Sequence, residues 1–197
     1  MARTPEFDRT EVVEAALKVF WSDGYEASSI QKLLAAMNLN RGSLYGSFGD
    51  KSRLFCEVMD HYVAIAGGII EDALLAIEDP LDAIQSFFYR ALLLSDEKTR
   101  SYGCLLLNTV SELNQTAPNL AQEALRRVAP LIDAFEHRVA QAQTLGLIGD
   151  EKSARALAHY LMALLAGVRL QAKMGASRET IKDIIDTGLV SLKPCPR

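Results

Sequence analysis

Cysteine is scarce in this chain and forms no pattern. Cys56, Cys104 and Cys195 make neither a CxxC pair nor a ladder, which excludes a disulfide scaffold and points to a reducing compartment. The histidines His61, His137 and His159 are far apart and match no metal-ligand spacing. There is no nucleophile elbow and no phosphate-cradling glycine loop. No metal, cofactor or catalytic residue is therefore expected. An enzyme built on Cys104 with His137 or His159 is a distant alternative. Long apolar runs are missing too. The longest, Leu157 to Val168, is broken by His159 and Tyr160 and falls short of the roughly 18 apolar residues of a membrane span. Met1 to Asp8 is polar and does not read as a secretory leader, so a cytoplasmic location is expected. Basic charge is also lacking: 21 Lys and Arg face 25 Asp and Glu, for a net charge of −4. A surface that gripped nucleic acid throughout would be basic, so only one local face can do so here.

What is present is a short polar helix between two turns. Ser28 to Lys51 reads as two helices joined tightly. Ser28 with Gln31 fits a capping box at the start of the first. Ile30, Leu33 and Leu34 give that helix its apolar stripe. Asn38 suits the left-handed conformation that ends a helix. Asn40 is a good N-cap for the next helix, Arg41 to about Phe48. Leu44 and Phe48 face a core, leaving Arg41, Ser43, Tyr45, Gly46 and Ser47 on or near the open side. A major groove admits one helix. Arg41 can pair with phosphate or guanine, Ser43 and Ser47 reach without bulk, and Gly42 and Gly46 let backbone approach backbone. A plain helical hairpin with a solvated face is the competing reading.

The run Leu39-Asn40-Arg41-Gly42-Ser43-Leu44-Tyr45-Gly46-Ser47-Phe48, followed by Asp50-Lys51, closely resembles the DNA-binding domain of the TetR family of bacterial transcriptional repressors. The preceding Ala16, Phe20, Gly24 and Tyr25 share the resemblance, which covers about the first third of the chain. The chain departs from the family pattern at Asn38, where glycine is usual, and at Gly46 and Ser47, where larger residues are frequent. The resemblance implies an all-α protein: a three-helix helix-turn-helix domain over residues 6–66, with the motif at 29–48, and a helical ligand-binding and dimerisation body over 67–197. It implies double-stranded DNA contacts from Ser28, Ser29, Gln31, Asn40, Arg41, Gly42, Ser43, Tyr45, Gly46, Ser47 and Lys51. It also implies a homodimer on a palindromic operator, with the last two helices pairing with their twins.

Elsewhere the pattern is helical. Residues 1 to 7 form a loose arm in which Arg3 meets a minor groove or nothing. Asp8 opens the first helix and Gly24 closes it. A helix opened by Asp50 runs to about Ile77 along the stripe Leu54, Val58, Tyr62, Ile65, Ile69, Ala73 and Ile77. Its Gly67-Gly68 pair permits a bend or a close neighbour. Asp79-Pro80 restarts the chain as a helix over 80–95, a polar connection follows over 95–102, and another helix spans about 103–113. Residues 118–143 are helical, with Pro130 kinking or splitting them. Two helices follow, over about 150–174 and after Ser177. Leu157, Leu161, Leu164, Val168, Ile181, Ile185 and Leu189 on them are candidates for a dimer interface or an internal core. Tyr62, Phe87, Phe88, Tyr102, Cys104, Asn108, Glu112, His137, His159 and Met162 are candidates for a small-molecule inducer pocket. Cys104, at a helix start, is either a buried inert thiol or an electrophile sensor. The function expected is a ligand-responsive repressor. The alternative is an effector-free DNA-binding protein or an adaptor whose body binds another protein.

Overall fold

A computed structural model describes residues 7–93 and 97–192, and every regular element among them is a helix. The arm with Arg3, Ser95 of the polar connection, and Cys195 lie outside the described residues. In chain order the helices are α1 (Arg9–Asp23), α2 (Ile30–Met37), α3 (Arg41–Phe48), α4 (Lys51–Ile69), a π-helical stretch (Ile70–Leu75), α5 (Pro80–Leu92), α6 (Glu97–Tyr102), α7 (Leu105–Leu113), α8 (Pro118–Thr144), α9 (Ala154–Lys173) and α10 (Arg178–Val190). They group into two compact units. One holds the residues up to Ile65 with Leu105–Arg127; the other holds Ala66–Cys104 and the chain from Val128. Leu105–Arg127, which a contiguous division places in the body, thus groups with the helix-turn-helix residues.

In the first unit Asp8 caps α1, accepting from the amides of Thr10 and Glu11. The apolar side predicted for α1 buries Val12, Val13, Ala16, Leu17 and Phe20. Phe20 meets Phe55 of α4 with centroids 4.7 Å apart, and Tyr25 meets the same ring at 5.0 Å. Phe20 and Phe55 are each about 1% exposed, and burial of such a ring contributes about 2 kcal/mol. From α8, Arg127 donates to Asp60 of α4 at 2.8 Å and to Glu123 on its own helix.

The stripe predicted for the fourth helix is interrupted partway, although Ala73 near its end is buried. Ile65 is 59% exposed, and α4 stops at Ile69, where the pitch loosens into the π-helical stretch. A Cβ on Gly67 or Gly68 would meet nothing within 4 Å, so no close neighbour requires either glycine. The irregularity falls one turn later. There Arg138 of α8, only 6% exposed, donates to the carbonyls of Leu74 and Leu75, the latter at 2.8 Å, and to Gln141. Carbonyls at the end of a helix have no partner within it; Arg138 supplies one.

The second unit buries Phe87 and Phe88 of α5 against Phe135 of α8, with centroids at 5.2 and 5.9 Å. Asp79 caps α5 with Pro80 at its first position, as Asp-Pro predicts. Two expectations are corrected. Part of the polar connection folds as α6, and Pro130 does not split α8, which runs through it. Pro130 lies on the exposed side, where solvent can replace the lost hydrogen bond.

A third correction concerns the last two helices. Leu161, Val168, Ile181 and Ile185 are fully buried within this unit, so they form its core and are not free to meet a partner. Leu157, Leu164 and Leu189 are half-buried against the same core. The opposite side of α9 is open: Ala156, Tyr160, Ala163, Gly167, Leu170 and Met174 are exposed at alternating spacings of four and three. Tyr160 donates to the carbonyl of Gly188 at 2.9 Å, which ties α9 to α10.

Candidate DNA-binding site

Helix α2 begins one residue later than the capping-box pattern suggests. Ser29 is its N-cap, accepting from the Lys32 amide at 3.2 Å. Ser28 is fully buried, and its hydroxyl donates to the carbonyl of Gly24. Ser28 is therefore a turn-closing residue and cannot reach a phosphate; Ser29 and Gln31 are exposed and can. Asn38 ends α2 at φ 51° and ψ 42°, and is the one non-glycine residue at positive φ among those described. The amide of Leu39 then reaches the carbonyl of Leu34 at 3.1 Å, satisfying a helix-end acceptor.

Asn40 caps α3 as predicted, accepting from the Ser43 amide at 2.8 Å. Leu44 and Phe48 are buried, and this fixes the helix by one side. Arg41, Gly42, Tyr45 and Gly46 are exposed on the other, with Ser43 and Ser47 half-buried at its margins. A Cβ on Gly46 would meet nothing within 4 Å, so packing inside the protein does not explain the glycine. In an exposed helix a glycine costs about 1 kcal/mol relative to alanine.

Two cations beside this face are already engaged. Arg9 of α1 donates to both carboxylate oxygens of Glu57, at 2.6 and 2.7 Å, and to the carbonyl of Ser47 at 3.2 Å, with its guanidinium 4.4 Å from the Phe48 ring. It joins α1 to α3 and α4, a role nothing in the local pattern signalled. Lys51 is half-buried, with Nζ 4.3 Å from the Tyr25 ring centroid. Burial pushes its ammonium below the usual lysine range, while the carboxylates of Glu26 and Glu112 oppose that shift. Asp50 accepts from the Arg53 amide at 2.9 Å, so the start of α4 carries its own carboxylate beside Lys51.

The residues proposed for an inducer pocket divide between the two units. Tyr62, Asn108 and Glu112 lie in the first unit, and the other seven lie in the second. Tyr62 is buried edge-on against Trp21, and Phe87 and Phe88 are core. The Glu112 carboxylate holds the amides of Tyr25 and Glu26. His137 and His159 are exposed. Cys104, Tyr102 and Met162 are half-buried, and Cys104 stands one residue ahead of α7. A cavity of about 360 Å³ in the second unit lies elsewhere, between α5 and α10, lined by Leu81, Ile84, Tyr89, Asp186 and Leu189 among others. Tyr89 donates its hydroxyl to Asp186, which also pairs with Lys182. Lys182 first and Tyr89 second hold that carboxylate below its usual range.

A short helix fixed by one apolar side, with an arginine, a tyrosine and two glycines exposed on the other, is the second helix of a helix-turn-helix arrangement. Residues 12–58 match the family described as bacterial regulatory proteins, tetR family, and residues 80–187 match the tetracyclin repressor-like C-terminal domain. The uncharacterized HTH-type transcriptional regulator YezE of Bacillus subtilis is 30% identical over 190 residues, covering 96% of this chain and 98% of its own. The HTH-type transcriptional repressor ComR of Escherichia coli is 28% identical over 188 residues, covering 95% and 90%. A cysteine-substituted form of the TetR family regulator CifR, solved with 26-bp double-strand operator DNA, superposes with a TM-score of 0.86 at 26% identity, covering 96% of this chain and 99% of that one. The chain belongs to the TetR family, and it is a DNA-binding transcriptional regulator. Among the described residues no helix is long and apolar enough to cross a membrane.

Proposed function

We propose that the protein is a cytoplasmic homodimeric repressor that holds a palindromic operator and is released from it by a small-molecule or electrophile signal. The observation that carries the DNA reading is the exposed Arg41, Gly42, Tyr45 and Gly46 on a helix anchored by Leu44 and Phe48. Two readers related by two-fold symmetry sum their affinities on two half-sites, which lets one short helix suffice in an acidic protein. The exposed stripe Ala156, Tyr160, Ala163, Gly167, Leu170 and Met174 on α9 supports the dimer. Its small residues allow close helix approach, and its apolar ones need cover; Leu170 is 58% and Met174 71% exposed.

Gly167→Glu tests this. A Cβ there meets nothing within 4 Å, so the protomer accommodates the change while the stripe gains a charge. Sedimentation should shift from dimer to monomer, and operator affinity should fall by roughly a hundredfold as the second half-site is lost. A variant that stays dimeric with unchanged affinity contradicts the interface. For the signal, Cys104 is the residue with a chemical handle. Aldehydes, quinones or hypochlorite should release the wild-type protein from DNA and leave Cys104→Ser bound. An equal response in both rejects Cys104 as the sensor and leaves another nucleophile such as Cys56 to react; no response in either leaves a non-covalent ligand as the signal.

A further inference from the structure

The turn that leads into the helix-turn-helix is held by a carboxylate from far along the chain. Helix α1 ends at Asp23, and Gly24 takes φ +84°. The amide of Tyr25 donates to Glu112 Oε2 at 3.0 Å and that of Glu26 to Glu112 Oε1 at 2.8 Å. One carboxylate of α7 therefore grips two consecutive backbone N–H groups, a charge-assisted pair stronger than neutral hydrogen bonds. The fit is close: a Cβ on Gly24 would come within 2.6 Å of Glu112 Oε2. From the other side the buried Ser28 hydroxyl donates to the Gly24 carbonyl. The next residue, Ser29, is the cap of α2. Holding this turn therefore fixes where α2 begins, and α2 carries α3 through the Asn38 turn.

We infer that Glu112 is a positioning residue for DNA binding: its carboxylate, carried on α7, locks the 24–28 turn and so sets the placement of α2 and α3 against the duplex. The inference rests on α3 being the reader. A displacement of α7 that withdraws this carboxylate frees two amides and loosens the reader without touching a base or phosphate.

Electrostatics alone argues the opposite way, and this makes the sign of the effect informative. Glu112→Gln removes a negative charge near Lys51, so a purely Coulombic role for Glu112 predicts tighter DNA binding. The glutamine also turns a donor toward one of the two amides and breaks the paired grip. The experiment measures Glu112→Gln and Glu112→Ala by fluorescence anisotropy on a duplex recovered from a random library, at fixed salt. Folded fraction is followed by circular dichroism, and hydrogen exchange across 24–28 by mass spectrometry. The expected result is affinity weakened by about tenfold in a fully folded protein, as the binding-competent population falls. Exchange at Tyr25 and Glu26 should be faster, and bound duplex should restore its protection. Unchanged or tighter binding, or unchanged exchange in the turn, overturns the inference. Arg41→Ala on the same duplex separates the two levels: if it too binds normally, the reading of α3 fails, whereas weak Arg41→Ala with normal Glu112→Gln rejects the positioning role alone.

Discussion

Replacing Arg41 with alanine is expected to weaken operator binding by about 1–3 kcal/mol and to relax base preference at one position in each half-site. Arg41 is the first residue of α3, and the first turn of a recognition helix is the part that meets base edges in a major groove. Its side chain is exposed on a helix whose buried side is Leu44 and Phe48, so removing it leaves the fold unchanged. The loss should therefore appear in DNA affinity with no change in thermal unfolding. A phosphate contact behaves differently. Lys51→Ala should weaken all sequences alike and lower the salt slope by about one. If Arg41→Ala also weakens all sequences equally, Arg41 is a backbone contact; if affinity is unchanged in both variants, DNA does not dock on this face.

Arg138→Met is expected to destabilise the second unit by about 3 kcal/mol. The guanidinium is almost completely buried and serves the carbonyls of Leu74 and Leu75 at the end of the π-helical stretch. A hydrogen bond to a charged group is worth about 1.5–3 kcal/mol, and a buried acceptor left alone adds its desolvation cost. Leu74 is fully buried, so water cannot replace the donor there; Leu75 is 54% exposed and recovers in part. Methionine keeps the apolar stem, which separates this loss from a packing defect. Chemical denaturation of the purified variant measures it. A change below about 0.5 kcal/mol, the range of an ordinary surface substitution, would mean that the arginine merely fills space.

The elements legible in advance were those with local chemistry at their ends. Asn38, Asn40, Asp79-Pro80 and Ser177 each announce a helix boundary within a few residues, and each stands at one. Where two neighbours offer the same chemistry, the local pattern fails. Ser28 has the glutamine three residues on, yet Ser29 takes the cap because Ser28 is drawn into the turn by the Gly24 carbonyl. Helix α9 shows the same limit for packing. One side carries Leu161, Leu165 and Val168 and the other Tyr160, Gly167 and Leu170, and periodicity alone does not say which meets the core. The larger aliphatic side is inside, and this reverses part of the expected dimer surface. The stripe of the fourth helix breaks at the exposed Ile65 and is buried again at Ala73 within the π-helical stretch, a break that the spacing of apolar residues does not announce. Glu112 had no local signal at all. Its partners are 87 and 86 residues away, and only the folded chain brings them together.

Selection from a random duplex library, with the full chain at moderate salt, tests the central claim most directly. The enriched sequences should form a palindrome of two half-sites spaced for a symmetric dimer, and Arg41→Ala should blur one position in each. Retention of all duplexes alike, or of none, would contradict a sequence-reading helix on the face of Arg41, Tyr45 and Gly46.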